Sequence, residues 1–188
     1  MDRTEISQTL EEIEGLRRDT RRALQSFWFP LVLFGAFSLV AGLLCQVGDG
    51  GSVAVFWAFA GPAGGISTAV YSTRREATLG LSRRAAPYIV VALGIMVGAF
   101  LLPVLTSGHL AEVVSHFAVA AGYLGFARIE RDGRIAAIAA LMAAVPLLML
   151  AIAPESACAV TAAVTGSILL ASGLSFRRTQ APVGWPPR

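Results

Sequence analysis

Lysine and asparagine are absent from this chain, and charge of either sign is scarce. Charged residues make up 14% of the 188 positions, against about 25% in an ordinary soluble domain. Too little charge remains to cover a water-facing surface of this size, and the mean hydropathy of +0.67 points the same way. Only two cysteines occur, Cys45 and Cys158, with no CxxC pair, so a zinc ribbon and a disulfide-rich scaffold are excluded. There is no Walker A motif, no GxGxxG after a strand and no GxSxG. ATP-driven work would have to come from a partner chain. No mid-span Asp or Glu pair occurs that would serve a carboxylate-based intramembrane enzyme. A cleaved signal peptide is not expected, because the first apolar run starts near Phe27 behind a polar stretch and no A-x-A site follows. All 15 basic residues are Arg. With the missing Asn, this is the codon signature of a GC-rich bacterial gene.

What the chain does have is long apolar runs. Six are present, at about 27–47, 53–72, 86–106, 109–127, 135–153 and 156–176, each near the ~20 residues that a helix needs to cross the hydrocarbon core. The connections alternate. Those after the first, third and fifth runs are short and contain no Arg. Those after the second and fourth, Thr73 to Arg84 and Arg128 to Arg134, are longer and basic. Every Arg falls in the N-terminal segment, these two connections or the tail after Phe176. By the positive-inside rule those segments are cytoplasmic. The expectation is an all-α membrane protein of the bacterial cytoplasmic membrane, with a 27–176 bundle of six transmembrane helices in three hairpins and both termini in the cytoplasm.

Residues 1–26 carry Ile6, Leu10, Ile13 and Leu16 at spacings of three and four, an amphipathic helical stripe. Arg17, Arg18, Arg21 and Arg22 follow and suit anionic lipid headgroups. The stripe would lie on the membrane or dock a cytoplasmic partner protein. Residues 177–188 form a Pro-rich cytoplasmic tail. On the second span, Gly61, Gly64, Gly65 and Thr68 share a narrow wedge, a small-residue face that lets a helix approach closely within the bundle or in a homo-oligomer. No nucleic-acid partner is expected.

One constellation carries chemistry. The two histidines, His109 and His116, lie on the fourth span with Glu112 between them and Tyr123 seven residues further on. At 3.6 residues per turn the first three fall within roughly 60° of one face, and His116 lies about 10 Å deeper than His109. Ionisable groups at such depth face the bundle interior, pair or serve a function. His109, Glu112 and His116 would suit zinc or another divalent ion, although the spacing is not that of HExxH and both histidines cannot reach one ion without a third helix or a bend. The other reading is that they are interfacial polar groups and helix-packing hydrogen bonds. Cys45 and Cys158 are both placed at the outer ends of spans, where a disulfide is a further option.

The Arg-rich segment running into Phe27-Trp28-Phe29-Pro30 and six short spans resembles, in layout and composition, small integral membrane proteins of GC-rich actinobacteria. In size and span number the chain also looks like the substrate-binding subunits of energy-coupling-factor vitamin transporters. Where those subunits show Ala-x-x-x-Ala in the first span, this chain has Ala36 followed by Val40. The leading expectation is a non-enzymatic component that binds a small solute or ion and serves transport or signalling, with no cofactor. The alternatives are an intramembrane metal-dependent enzyme with Glu112 as base, and a structural or interaction protein without a ligand.

Overall fold

A computed structural model describes residues 13, 15, 27–47, 50–79, 85–105, 109–152 and 157–179, with backbone alone at 50, 51, 79, 100, 102–104, 109–113, 149, 150 and 179. The described residues contain six long helices and no strand: α1 Trp28–Val47, α2 Gly50–Leu79, α3 Ala86–Val104, α4 His109–Glu130, α5 Gly133–Ile152 and α6 Ala157–Thr179. Ile13 and Gly15 are helical. The remainder of the 1–26 stripe, and the tail beyond Thr179, lie outside the described residues.

An unbroken apolar run becomes a helix because each backbone N–H and C=O then finds its partner within the segment. Prolines in the first turn, Pro30 in α1 and Pro87 in α3, cost nothing there, since those N–H groups have no intrahelical acceptor. Helices α2 and α5 run through Pro62 and Pro146. Three helical segments, Trp28–Val47, Ser52–Thr78 and Ala157–Arg178, are long and apolar enough to cross a bilayer, while Ala86–Ala99 and Gly133–Leu148 are shorter apolar stretches. The molecule is compatible with a membrane protein on that basis.

Helices α2, α4 and α6 run past the C-terminal ends of the apolar runs that seed them. Helix α2 has 30 residues, about 45 Å at 1.5 Å per residue, so Arg74, Arg75 and Glu76 sit on helix, not in a loop. The connection expected over Arg128–Arg134 shrinks to Arg131 and Asp132. Here α4 ends as a Schellman turn. The Asp132 N–H donates to the Ala127 carbonyl at 3.1 Å, and Arg131 takes the left-handed conformation (φ 54°). Asp132 then caps α5, its Oδ1 accepting from the Arg134 N–H at 2.8 Å. The capping carboxylate lets the chain reverse in two residues.

Packing follows the order α2, α1, α6, α5, α4, α3, each helix resting on the next, with α1–α6, α3–α4 and α4–α5 the extensive contacts. The core joins Leu31 of α1, Ala120, Tyr123 and Ala127 of α4, Ile135, Ile138, Ala139 and Met142 of α5, and Leu169 and Phe176 of α6. Helices α2 and α3 are peripheral. Phe59 and Ile66 on α2 and Val90 and Leu101 on α3 are exposed. An apolar surface of that extent is not what a water-soluble monomer presents.

Candidate functional site

Helix α4 presents three faces. Ala120, Tyr123 and Ala127, spaced by three and four, point into the core against α1, α5 and α6. His116 lies four residues before Ala120 and seven before Tyr123, so it continues this interior face, and it is half-buried. The second face receives α3: Gly122 and Gly125 leave hollows filled by Ile95 and Val91, and Ser115 Oγ donates to the Ala99 carbonyl at 3.2 Å. The third face, with Phe117 and Leu124, is exposed. His109 and Glu112 are on the first turn of α4, and their side chains lie outside the described residues. Tyr123 is buried, with its ring edge-on to Phe126 at 6.4 Å. Of the four stripe residues, the structure therefore places His116 and Tyr123 on one inward face. Among the described residues no three His, Cys, Asp or Glu side chains come together as a metal group.

Among the described residues, the backbones of α1 and α6 approach each other closely. Trp28 lies against Gly173, Gly35 against Gly166, and Gly42 against Ala159. Each step of seven residues up α1 is matched by seven down α6, an antiparallel register. A Cβ added at Gly35 would meet Leu170 N at 2.9 Å and Gly166 O at 3.0 Å, and one added at Gly166 would meet Gly35 O at 2.9 Å. Glycine lets the two backbones touch, and van der Waals contact of this kind is what holds helices together in an apolar solvent. Ser38 and Ser167 bond their own helices, donating to Phe34 O at 2.9 Å and Ala163 O at 2.8 Å. At the far end of the seam the structure joins Cys45 to Cys158, Cα–Cα 6.1 Å, across 113 residues of chain. The sequence signal for this seam is the repeat of glycine at seven-residue spacing, Gly35 with Gly42 and Gly166 with Gly173. The small-residue wedge on α2 is split by comparison. Gly64 packs under Phe34 and Phe37 of α1, while Gly65 has nothing within 4 Å. Gly61 is half-buried, and Thr68 Oγ1 is buried without a hydrogen-bond partner among the described residues.

At the opposite, arginine-bearing end an aromatic layer crosses the bundle. Phe27 of α1 meets Phe126 of α4 at 5.8 Å, and Phe126 stacks on Tyr88 of α3 at 6.2 Å. The Tyr88 hydroxyl donates to the Glu130 carboxylate. Arg134 lies over Phe176 at 6.0 Å. On α1 and α2, Phe29 stacks on Tyr71 at 4.5 Å, and Trp28 meets Tyr71 edge-on at 5.7 Å. Arg75 Nη1 donates to Tyr71 Oη at 3.1 Å, and the Arg177 guanidinium sits 5.3 Å from the Trp28 ring. Arg17, Arg18, Arg21 and Arg22 lie outside the described residues. The Arg75–Tyr71–Trp28–Arg177 group is not apparent from sequence, because its members come from three helices. Comparison with protein-family models, with curated proteins and with solved structures gives no match.

Proposed function

We propose that this is a six-span protein of the bacterial cytoplasmic membrane, with both termini in the cytoplasm, that binds a small solute or ion at the interior face of α4 and serves as a non-enzymatic transport or signalling component. The observation that carries the site is the inward placement of His116 on the face that holds Tyr123. Ionisable groups at such depth face the bundle interior, pair with a neighbour or serve a function, and His116 lies on the interior face. His109 and Glu112 extend the same stripe toward the Arg-free end. The membrane reading is supported by the exposed apolar faces of α2 and α3 and by lengths of 19 to 30 residues, which reach about 28 Å or more. The orientation is supported by two independent features at opposite ends. Arg74, Arg75, Arg128, Arg134, Arg177 and Arg178 gather at one end, and the Cys45–Cys158 bond is at the other, as an oxidising exterior favours.

The test is thermal unfolding of the full chain, without a polyhistidine tag, in mild detergent across a panel of cations that includes zinc, small organic solutes and pH. The expected result is a stabilising member of the panel whose effect disappears in His116→Ala and weakens in His109→Ala and Glu112→Ala. A panel that moves wild type and His116→Ala alike would remove the binding reading and leave the stripe as helix packing. Orientation is read separately. After reduction, a membrane-impermeant maleimide should label Cys45 and Cys158 in intact cells.

A further inference from the structure

We propose that the arginine-bearing end holds the headgroup of an anionic phospholipid between Arg75 of α2 and Arg177 of α6, on a floor made by Trp28 and Tyr71. This rests on the membrane reading above. The two cations are tied to the two members of one aromatic pair, Arg177 to Trp28 and Arg75 to Tyr71, and Phe29 stacks on Tyr71 and holds the pair in place. The Arg177 guanidinium, held over the Trp28 ring, keeps in-plane N–H donors for an oxyanion, while Arg75 gives one N–H to the Tyr71 hydroxyl; the fork geometry of a guanidinium matches a phosphate. Arg74 and Arg178 are adjacent in sequence and exposed. Among the described residues, Glu76 is the acidic residue next to this group on α2.

The surroundings favour a lipid over free phosphate. Ile66 and Val70 precede Arg74 at four-residue steps on α2, and both are exposed, as is Leu174 just before Arg177 on α6. Exposed apolar residues thus lead up to the adjacent arginine pairs, Arg74–Arg75 on α2 and Arg177–Arg178 on α6. An acyl chain lies along such residues while its phosphate meets the guanidiniums. Trp and Tyr rings belong at that headgroup depth.

The test uses the full chain in phosphatidylcholine nanodiscs with increasing phosphatidylglycerol, comparing Arg75→Gln/Arg177→Gln with Arg128→Gln/Arg131→Gln. The second pair removes equal charge from the same end, away from the Trp28–Tyr71 floor. Phosphatidylglycerol should raise the unfolding midpoint of wild type and of the Arg128/Arg131 variant. Its apparent affinity should fall about tenfold or more in the Arg75/Arg177 variant, the scale of one lost charge-assisted hydrogen bond. Trp28→Leu keeps both charges and should also weaken the lipid response, while Trp28→Phe preserves most of it. Equal losses in the two double variants, an unaltered response in Trp28→Leu, or the same shift from inorganic phosphate would each overturn the site. Release of the wild-type chain from membranes by alkaline carbonate would overturn the six-span reading instead.

Discussion

Replacing Gly35 by Ala tests whether the α1–α6 seam holds the bundle together. The new Cβ would lie 2.9 Å from both Leu170 N and Leu170 Cγ and 3.0 Å from Gly166 O, against ordinary contacts of 3.4–4 Å. Two of these three atoms are backbone, so a rotamer change cannot relieve the clash and α6 must move back by about half an ångström. Radial gaps of that size forfeit about a quarter of the dispersion energy of the facing atoms, and overpacking of this kind costs about 1–3 kcal/mol. Alanine recovers about 0.8–1 kcal/mol of helix propensity. The expected net loss is up to about 2 kcal/mol. Gly94 on α3 has nothing within 4 Å. There only the propensity term operates, and Gly94→Ala should stabilise by about 0.5–1 kcal/mol. Gly42→Ala should fall between them, since its nearest contact would be 3.2 Å. The assay is unfolding in mixed micelles with increasing SDS, following helix content and intrinsic fluorescence. The reasoning is refuted if Gly35→Ala and Gly94→Ala move the midpoint in the same direction by similar amounts.

Reduction of the Cys45–Cys158 bond frees a loop of 113 residues and should lower stability by at most about 5 kcal/mol on the chain-entropy model; the double Cys→Ser variant should match the reduced wild type in the same SDS titration. In the α4–α5 turn, Asp132→Ala removes the cap of α5 and should cost about 1 kcal/mol. Arg131→Gly relieves the left-handed strain and should change stability the opposite way by up to about 1 kcal/mol, both read from thermal midpoints. Tyr88→Phe deletes the hydrogen bond to Glu130 that helps tie α3 to α4, and should cost about 1.5–3 kcal/mol, the range for bonds to a charged acceptor. A midpoint unchanged in Tyr88→Phe would mean that α3 is held by the packing of Ile95 and Val91, the ring stack on Phe126 and the Ser115–Ala99 bond, without help from the Tyr88 hydroxyl.

Much of the fold was legible. The six apolar runs coincide with the six helices, because an uninterrupted apolar segment has no cheaper way to satisfy its backbone. The helix ends were less legible. Arg74 and Arg75 read as a loop, and so did Arg128 to Arg134, because charge ends an apolar run without ending a helix; the Asp132 cap, not composition, decided the α4–α5 reversal. For the candidate site, the periodicity from His116 to Tyr123 was plain, but the direction of that face was not. It is set by Ala120 and Ala127, small enough for α5 to close over them. The aromatic floor under Arg75 and Arg177 left no sequence signal, since Trp28, Tyr71 and Arg177 lie far apart along the chain.

By itself the sequence determined the helical class, the six long helices of the described residues and the placement of arginine near their ends, all of which depend on one segment at a time. The tertiary structure alone decided which helices are neighbours. It set α1 beside α6, paired Gly35 with Gly166, brought Cys45 to Cys158, and left α2 and α3 at the edges. The reason is physical. Hydropathy carries a helix into an apolar setting but does not distinguish one apolar partner from another. That choice is made by the fit between two surfaces, a property of pairs of helices that neither run of sequence contains.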